Sequence, residues 1–217
     1  MLNQEQARAV ADQYPGLGAV ERAHMIKRLT WCQYDDIAGH LPPQGDILDI
    51  GCGYGHFGVY FTSRFPQARL WGCDPDQAKI AVARLAQNQR RRYFAGACTE
   101  VPQLPPSFDG IVILDILYLM PPDLQEETLA WAASRLKSPG SLVIKTIDPG
   151  QGWRSLLANL QEWVMVKLLR KTYSSGAFAA GQDPSIYTNL LGKMGIACRI
   201  IPLPGNRTPS VLITGKK

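Results

Sequence analysis

Along the first forty residues apolar positions recur at helical spacing, and after that they gather into short β-rich runs set between helical stretches. Residues 2–13 read as a helix, Pro15-Gly16 breaks it, and 19–38 resumes with Val20, Ala23, Ile26 and Leu29 on one side until Leu41-Pro42-Pro43. From Asp46 the order is strand 46–50, helix 57–64, strand 69–73, helix 76–89, strand 93–95, strand 111–114, helix 124–136 and strand 142–147. Such alternation predicts βαβ units on a parallel sheet. Beyond Pro149 the pattern gives an amphipathic helix over 153–169, a small-residue loop over 173–181, a short helix over 184–194 and strands 196–203 and 209–214. Pro204-Gly205-Asn206-Arg207 between those strands is turn-forming, so they pair as an antiparallel hairpin.

No internal repeat, low-complexity tract or long linker interrupts the chain, and 46% hydrophobic against 19% charged residues suffices for a large core. The expected organisation is one domain, with a helical extension (1–43), a core (44–148), a helical insertion (149–194) and a terminal hairpin (195–217). Neither a signal peptide nor an apolar membrane span is legible, so a cytoplasmic protein is expected. Five cysteines without a C-x-x-C pair suit reduced thiols and indicate no metal site. The net charge of +5 is modest for this length, and its densest spot, Arg90-Arg91-Arg92, reads as cations at the end of helix 76–89 rather than as a nucleic-acid contact.

The chemistry is concentrated in Ile47-Leu48-Asp49-Ile50-Gly51-Cys52-Gly53-Tyr54-Gly55-His56-Phe57-Gly58, a strand running through a glycine turn into a helix. Glycines let the backbone close onto a ligand, and the free N–H groups of the helix start face it. Gly53, Gly55 and Gly58 satisfy G-x-G-x-x-G, which by itself suggests a dinucleotide. The run Gly51-x-Gly53-x-Gly55, with an acid at Asp49 inside the strand, instead resembles the first motif of class I S-adenosylmethionine (SAM)-dependent methyltransferases.

That resemblance extends over about residues 46–147. It implies an α/β doubly wound sheet of seven strands, mostly parallel with a C-terminal antiparallel hairpin and helices on both faces. It implies SAM as cofactor, bound by Asp49, Gly51, Cys52, Gly53 and Gly55. Asp74, in Trp71-Gly72-Cys73-Asp74, then takes the ribose hydroxyls beside Pro75, since a carboxylate can accept from both at once. Asp115 and Tyr118, after the strand Ile111–Leu114, border the methyl-transfer site. Many relatives bond adenine with an acid after the third strand; Ala95-Gly96-Ala97-Cys98-Thr99-Glu100 has none there, leaving the backbone of Ala97 and Cys98, or Thr99 or Glu100, for that task.

On the acceptor side the candidates are Tyr118, His24, Lys145 and Asp148. His24 is a possible base, with a surface or packed histidine as the alternative. Lys145 and Asp148 stand at the carboxyl end of the fifth strand, either as substrate contacts or as a surface ion pair. Asp109, beside Gly110, reads as structural. His56, one turn into the glycine motif, packs or borders SAM. The apolar stripe Trp153, Leu156, Leu157, Leu160, Trp163, Val164 and Leu168 reads as core, with a lid, a homodimer contact or a membrane-surface helix as alternatives. A small, partly apolar metabolite is the expected acceptor, and nucleic acid is disfavoured because N/D-P-P-Y/F is absent after the fourth strand. Two rivals remain: a SAM-binding subunit without activity, and a nicotinamide-dependent oxidoreductase.

Overall fold

The structure is a computed structural model that describes residues 1–148, 183–203 and 209–217. The stripe 153–169, the loop 173–181 and the turn 204–207 lie outside the described residues. Three helices, α1 (Gln4–Ala11), α2 (Ala19–Leu29) and α3 (Tyr34–Ala38), precede β1 (Gln44–Ile50), α4 (His56–Arg64), β2 (Gln67–Asp74) and α5 (Gln77–Ala83). Then come β3 (Arg91–Ala95), β4 (Phe108–Leu114), α6 (Pro122–Arg135), β5 (Leu136–Ile147), α7 (Pro184–Lys193), β6 (Ala197–Leu203) and β7 (Ser210–Lys216).

The strands form one seven-stranded sheet of order 3-2-1-4-5-7-6, parallel from β3 to β5 and antiparallel at β5–β7 and β7–β6. This is the expected doubly wound sheet with its closing hairpin. Side-chain alternation sorts the core into two layers. Ile47, Val112 and Val143 pack with α1–α4 on one face, whereas Leu48, Ile111, Ile113 and Ile144 pack with α6 and α7 on the other. Alternation therefore brings Asp49, Leu114 and Lys145 to the face that the N-terminal helices cover.

Three readings need correction. The helix expected over 19–38 is two helices, because the Thr30 hydroxyl turns back to the Lys27 carbonyl at 2.8 Å and a non-helical segment separates α2 from α3. The helix expected over 76–89 ends at Ala83 in a turn of 3₁₀ helix, and Asn88 stops it by accepting from the Arg90 and Arg91 N–H groups at 2.8 and 3.0 Å. The arginine run consequently does not cap a helix: Arg91 and Arg92 belong to β3, and Arg92 lies over the Trp71 ring.

Arg91 is 4% exposed and spans three elements. It donates to the Ala86 carbonyl (2.9 Å), Thr62 Oγ1 on α4 (3.0 Å) and Gln13 Oε1 just past α1 (2.7 Å). Deleting such a donor strands buried acceptors, each at a cost of about 1–3 kcal/mol. Arg91→Met is therefore expected to lower unfolding free energy by about 2 kcal/mol. Urea denaturation measures it, and a change under about 0.5 kcal/mol, the range of ordinary surface substitutions, would deny Arg91 this structural role.

Candidate functional site

Strand order reverses between β1 and β4, and at such a switch point loops diverge to leave a crevice outside the carboxyl ends of the strands. The glycine turn opens there. Gly53 has φ +52° and Gly55 φ +76°, conformations that disfavour side chains. The two glycines differ in what surrounds them. A Cβ on Gly55 would meet the Tyr93 ring at 2.7 Å, so that glycine exists for packing, and the Tyr93 hydroxyl donates to the Gly55 carbonyl at 3.1 Å. Among the described residues a Cβ on Gly53 would meet only Lys79 Cδ, at 3.9 Å, so it would project into the crevice itself.

Asp74, at the end of β2 and 6% exposed, holds this turn in place. Its Oδ2 accepts from the Gly53 N–H and its Oδ1 from the Asp76 N–H, both at 2.9 Å. Each carboxylate oxygen has two lone pairs, so one remains on each for a ligand. Asp76 caps α5 by accepting from the Ala78 and Lys79 N–H groups, a role the residue pattern had not singled out. Beside the turn, Pro75 is exposed, Gly51 and Cys52 are half-buried, and Ala97 and Cys98 follow β3. The Ala97 N–H donates to Glu100 Oε2 at 3.3 Å, which turns both groups toward each other.

Asp49 is 2% exposed, and among the described residues no N–H or O–H donates to its carboxylate. Burial, with Asp74 nearby adding to it, pushes its pKa up to about 8. His56 starts α4 with its ring stacked on Tyr54 and edge-on to Tyr14, whose hydroxyl donates to the Tyr54 carbonyl at 3.0 Å. Burial, helped by the Arg28 charge, pushes the imidazole down to about 3, so it stays neutral at physiological pH. Nε2 has no hydrogen-bond partner among the described residues.

At the end of β4, Asp115 adopts φ +56°, unusual for a residue with a side chain. Its N–H donates to the Lys145 carbonyl at 3.0 Å, while its Oδ2 accepts from Lys145 Nζ at 2.5 Å. Lys145 thus has an ion-pair partner, Asp115, from the neighbouring strand. Asp148 is half-buried just past β5, and its N–H donates to the Pro209 carbonyl at 2.9 Å. Tyr118 is half-buried in the 3₁₀ turn Leu117–Leu119.

Cys32 and Arg28, which sequence reasoning overlooked, belong to the same corner. Burial pushes the Cys32 thiol up, a Tyr34 hydrogen bond, Arg28 and Lys145 draw it back, and Asp115 adds to the rise. No local signal could have found Cys32, because only folding brings it within electrostatic range of Lys145 and Asp115. His24, by contrast, is exposed on α2. Asp109 is structural, accepting from the Asp46 N–H at 2.7 Å and pairing with Lys137 at 2.9 Å.

A second cleft, of about 630 Å³, opens at the opposite end of the sheet. Its polar lining is already engaged: Lys216 donates to Ser141, Lys217 to the Ala133 and Leu136 carbonyls, and Asp109 pairs with Lys137. The carboxyl edge, with an unpaired carboxylate and an open glycine, is the better site.

This strand order, ending in an antiparallel pair and built on an acid-plus-glycine turn, defines a class I methyltransferase fold. Residues 47–140 match the family described as a methyltransferase domain. Trans-aconitate 2-methyltransferase of Deinococcus radiodurans is 30% identical over 91 residues, 41% of this chain and 34% of that protein. Ubiquinone biosynthesis O-methyltransferase of Bradyrhizobium diazoefficiens is 27% identical over 146 residues, 65% of this chain and 55% of that protein. The chain thus spans about a third to about a half of the length of these curated relatives. Magnesium protoporphyrin IX methyltransferase from Synechocystis PCC 6803, solved with bound S-adenosylhomocysteine (SAH), shares the fold with TM-score 0.63 and 16% identity, covering 95% of this chain and 91% of that one.

Because the folded state holds a proton on Asp49 that the unfolded chain gives up near pH 4, the native state binds more protons between about pH 4 and 8. Stability from this group is therefore full below pH 4 and lost as pH rises through 8. Asp49→Asn removes the titration, so its melting temperature relative to the natural protein should climb between pH 5 and pH 8.5. A difference that stays flat with pH would show that Asp49 is ionised throughout.

Proposed function

We propose that this protein transfers a methyl group from SAM to a small, partly apolar metabolite. The observation that carries this reading is the Gly53 position, where a side chain would fill open space beside a buried carboxylate that keeps two free lone pairs. Those features fit an aminoacyl nucleoside. Asp74 would take the ribose hydroxyls, the backbone of Gly51, Cys52, Gly53 and Gly55 would follow the methionine part, and the donor-less Asp49 would meet its ammonium group. Pro75, Ala97 and Cys98 would flank the nucleoside, and Asp115 and Tyr118 would border the transferring methyl.

SAM supplies an electrophilic methyl on a sulfonium, which is the difficult chemistry. The chain's own contribution is placement: the turn fixes the donor, and the face carrying Asp49, Leu114 and Lys145 receives the acceptor in near-attack geometry. The neutral, weakly basic His56 can accept a hydrogen bond but is a poor proton acceptor at pH 7. Small-molecule use is supported by the names of the two curated relatives, which act in carboxylic-acid and quinone chemistry. Among the described residues no helix is long and apolar enough to cross a membrane. The five unpaired cysteines fit the reducing cytoplasm.

Isothermal titration with SAM, SAH and NADH tests this before any acceptor is known. SAM and SAH should bind and NADH should not, and Asp74→Ala should weaken SAM at least about tenfold, or 1.4 kcal/mol. Because Asp49 must shed its proton to pair with the ammonium, SAM affinity should rise from pH 6 to pH 8, by no more than about tenfold per unit. Binding of NADH but not SAM would end the methyltransferase reading.

A further inference from the structure

The start of α4 carries backbone donors with nothing to bond. The first N–H groups of any helix lack an intrahelical partner, so a side chain, a water or a ligand has to meet them. At α4 the N-cap is Gly55, which has no side chain to offer, and the first turn holds no acidic residue. The Gly55 N–H donates to the Cys52 carbonyl at 2.9 Å, and the next backbone bond is from the Val59 N–H to the Gly55 carbonyl at 3.1 Å. Between them His56, Phe57 and Gly58 are buried, and among the described residues none of their N–H groups meets an acceptor.

The His56 side chain is a second, independent observation at the same place. Its residue is 9% exposed, and Nε2 has no hydrogen-bond partner among the described residues. Helical side chains lean toward the N-terminus of their helix, and here the imidazole lies back over the turn, stacked on Tyr54 at 5.7 Å. Two ties hold it so: the Tyr14 ring meets it edge-on at 5.8 Å, and the Tyr14 hydroxyl pins the Tyr54 carbonyl at 3.0 Å. Leaving a buried polar nitrogen unpaired is costly, and a neutral imidazole always has one N–H to give.

Unpaired N–H groups at a helix start favour an anion, because the helix dipole adds to their pull. Building on the methyltransferase reading above, we propose that His56 and the open end of α4 form a carboxylate subsite for the amino-acid end of the methyl donor, with the imidazole donating its N–H to that group. Asp49, on the sheet face that the N-terminal helices cover, has a carboxylate that no donor meets among the described residues. The segment from β1 to α4 therefore presents an acceptor for an ammonium and donors for a carboxylate, the complement of a zwitterion. His56 then selects the donor by its carboxylate rather than by its nucleoside.

The test compares SAM with decarboxylated SAM, which keeps the nucleoside, the sulfonium and the amine, by isothermal titration into the full chain. SAM should bind at least about tenfold more tightly. His56→Phe keeps an aromatic ring against Tyr54 and removes the donor, so it should weaken SAM about tenfold and leave decarboxylated SAM within about twofold. His56→Gln, whose amide N–H reaches a similar position, should keep most of the preference. Thermal melts confirm folding, and the Gln variant together with the natural protein's own preference keeps the test sound if the Phe variant is unfolded. Benzoate titrated at saturating SAM probes a carboxylate on the acceptor instead: if His56→Phe weakens benzoate and not SAM, the proposal falls. Equal affinity for SAM and decarboxylated SAM, or a preference that survives His56→Phe, overturns the subsite and leaves the methyltransferase reading standing. Failure to bind either nucleoside removes both.

Discussion

The Asp74 carboxylate joins two stretches of backbone that would otherwise move independently, the glycine turn after β1 and the start of α5. Both of its oxygens accept N–H groups, at Gly53 and at Asp76. Charge-assisted bonds of this kind are stronger than neutral ones, and here they draw backbone dipoles toward the crevice mouth. The open space at Gly53, the direction of α4 and the capping of α5 all follow from that clamp. A turn made of glycines alone would be too loose to present a defined surface to a ligand, because glycine loses the most conformational freedom on folding.

The N-terminal helices complete the site from above. α1–α3 lie on the sheet face that bears Asp49, Leu114 and Lys145, and Arg91 secures them by bonding Gln13 beside α1 and Thr62 on α4. Tyr14 adds a second tie through the Tyr54 carbonyl. The extension therefore excludes water from the very groups whose ionisation matters. Burial under this cover raises the pKa of Asp49 and lowers that of His56.

Much of this architecture is legible in residue order. The alternation of β-rich and helical runs gives the parallel sheet, and the glycine turn after an acid-bearing strand marks the candidate site, since both signals are local. What could not be read depends on contacts between distant segments. The break after Leu29 is a side chain competing with the helix for a carbonyl, which periodicity does not register. Arg90-Arg91-Arg92 read as cations at the end of a helix, yet alternation along β3 buries Arg91 and leaves Arg92 on Trp71. Lys145 seemed as ready to pair with Asp148, three residues on, as with anything else; the β4–β5 register, which sets Leu114 opposite Lys145, gave it Asp115.

The antiparallel end of the sheet has a consequence for how the chain is made. β7, the last strand in sequence, is not an edge: it lies between β5 and β6, paired along its length with both. During synthesis, then, β5 emerges with one side unsatisfied and keeps it so until some sixty further residues have left the ribosome, at about 5–20 residues per second. An exposed, strongly apolar strand edge is a template for pairing with other chains. Ile144 and Ile147 would display it for several seconds on every nascent molecule, so faithful production depends on the pace of translation and on whatever shields that edge meanwhile.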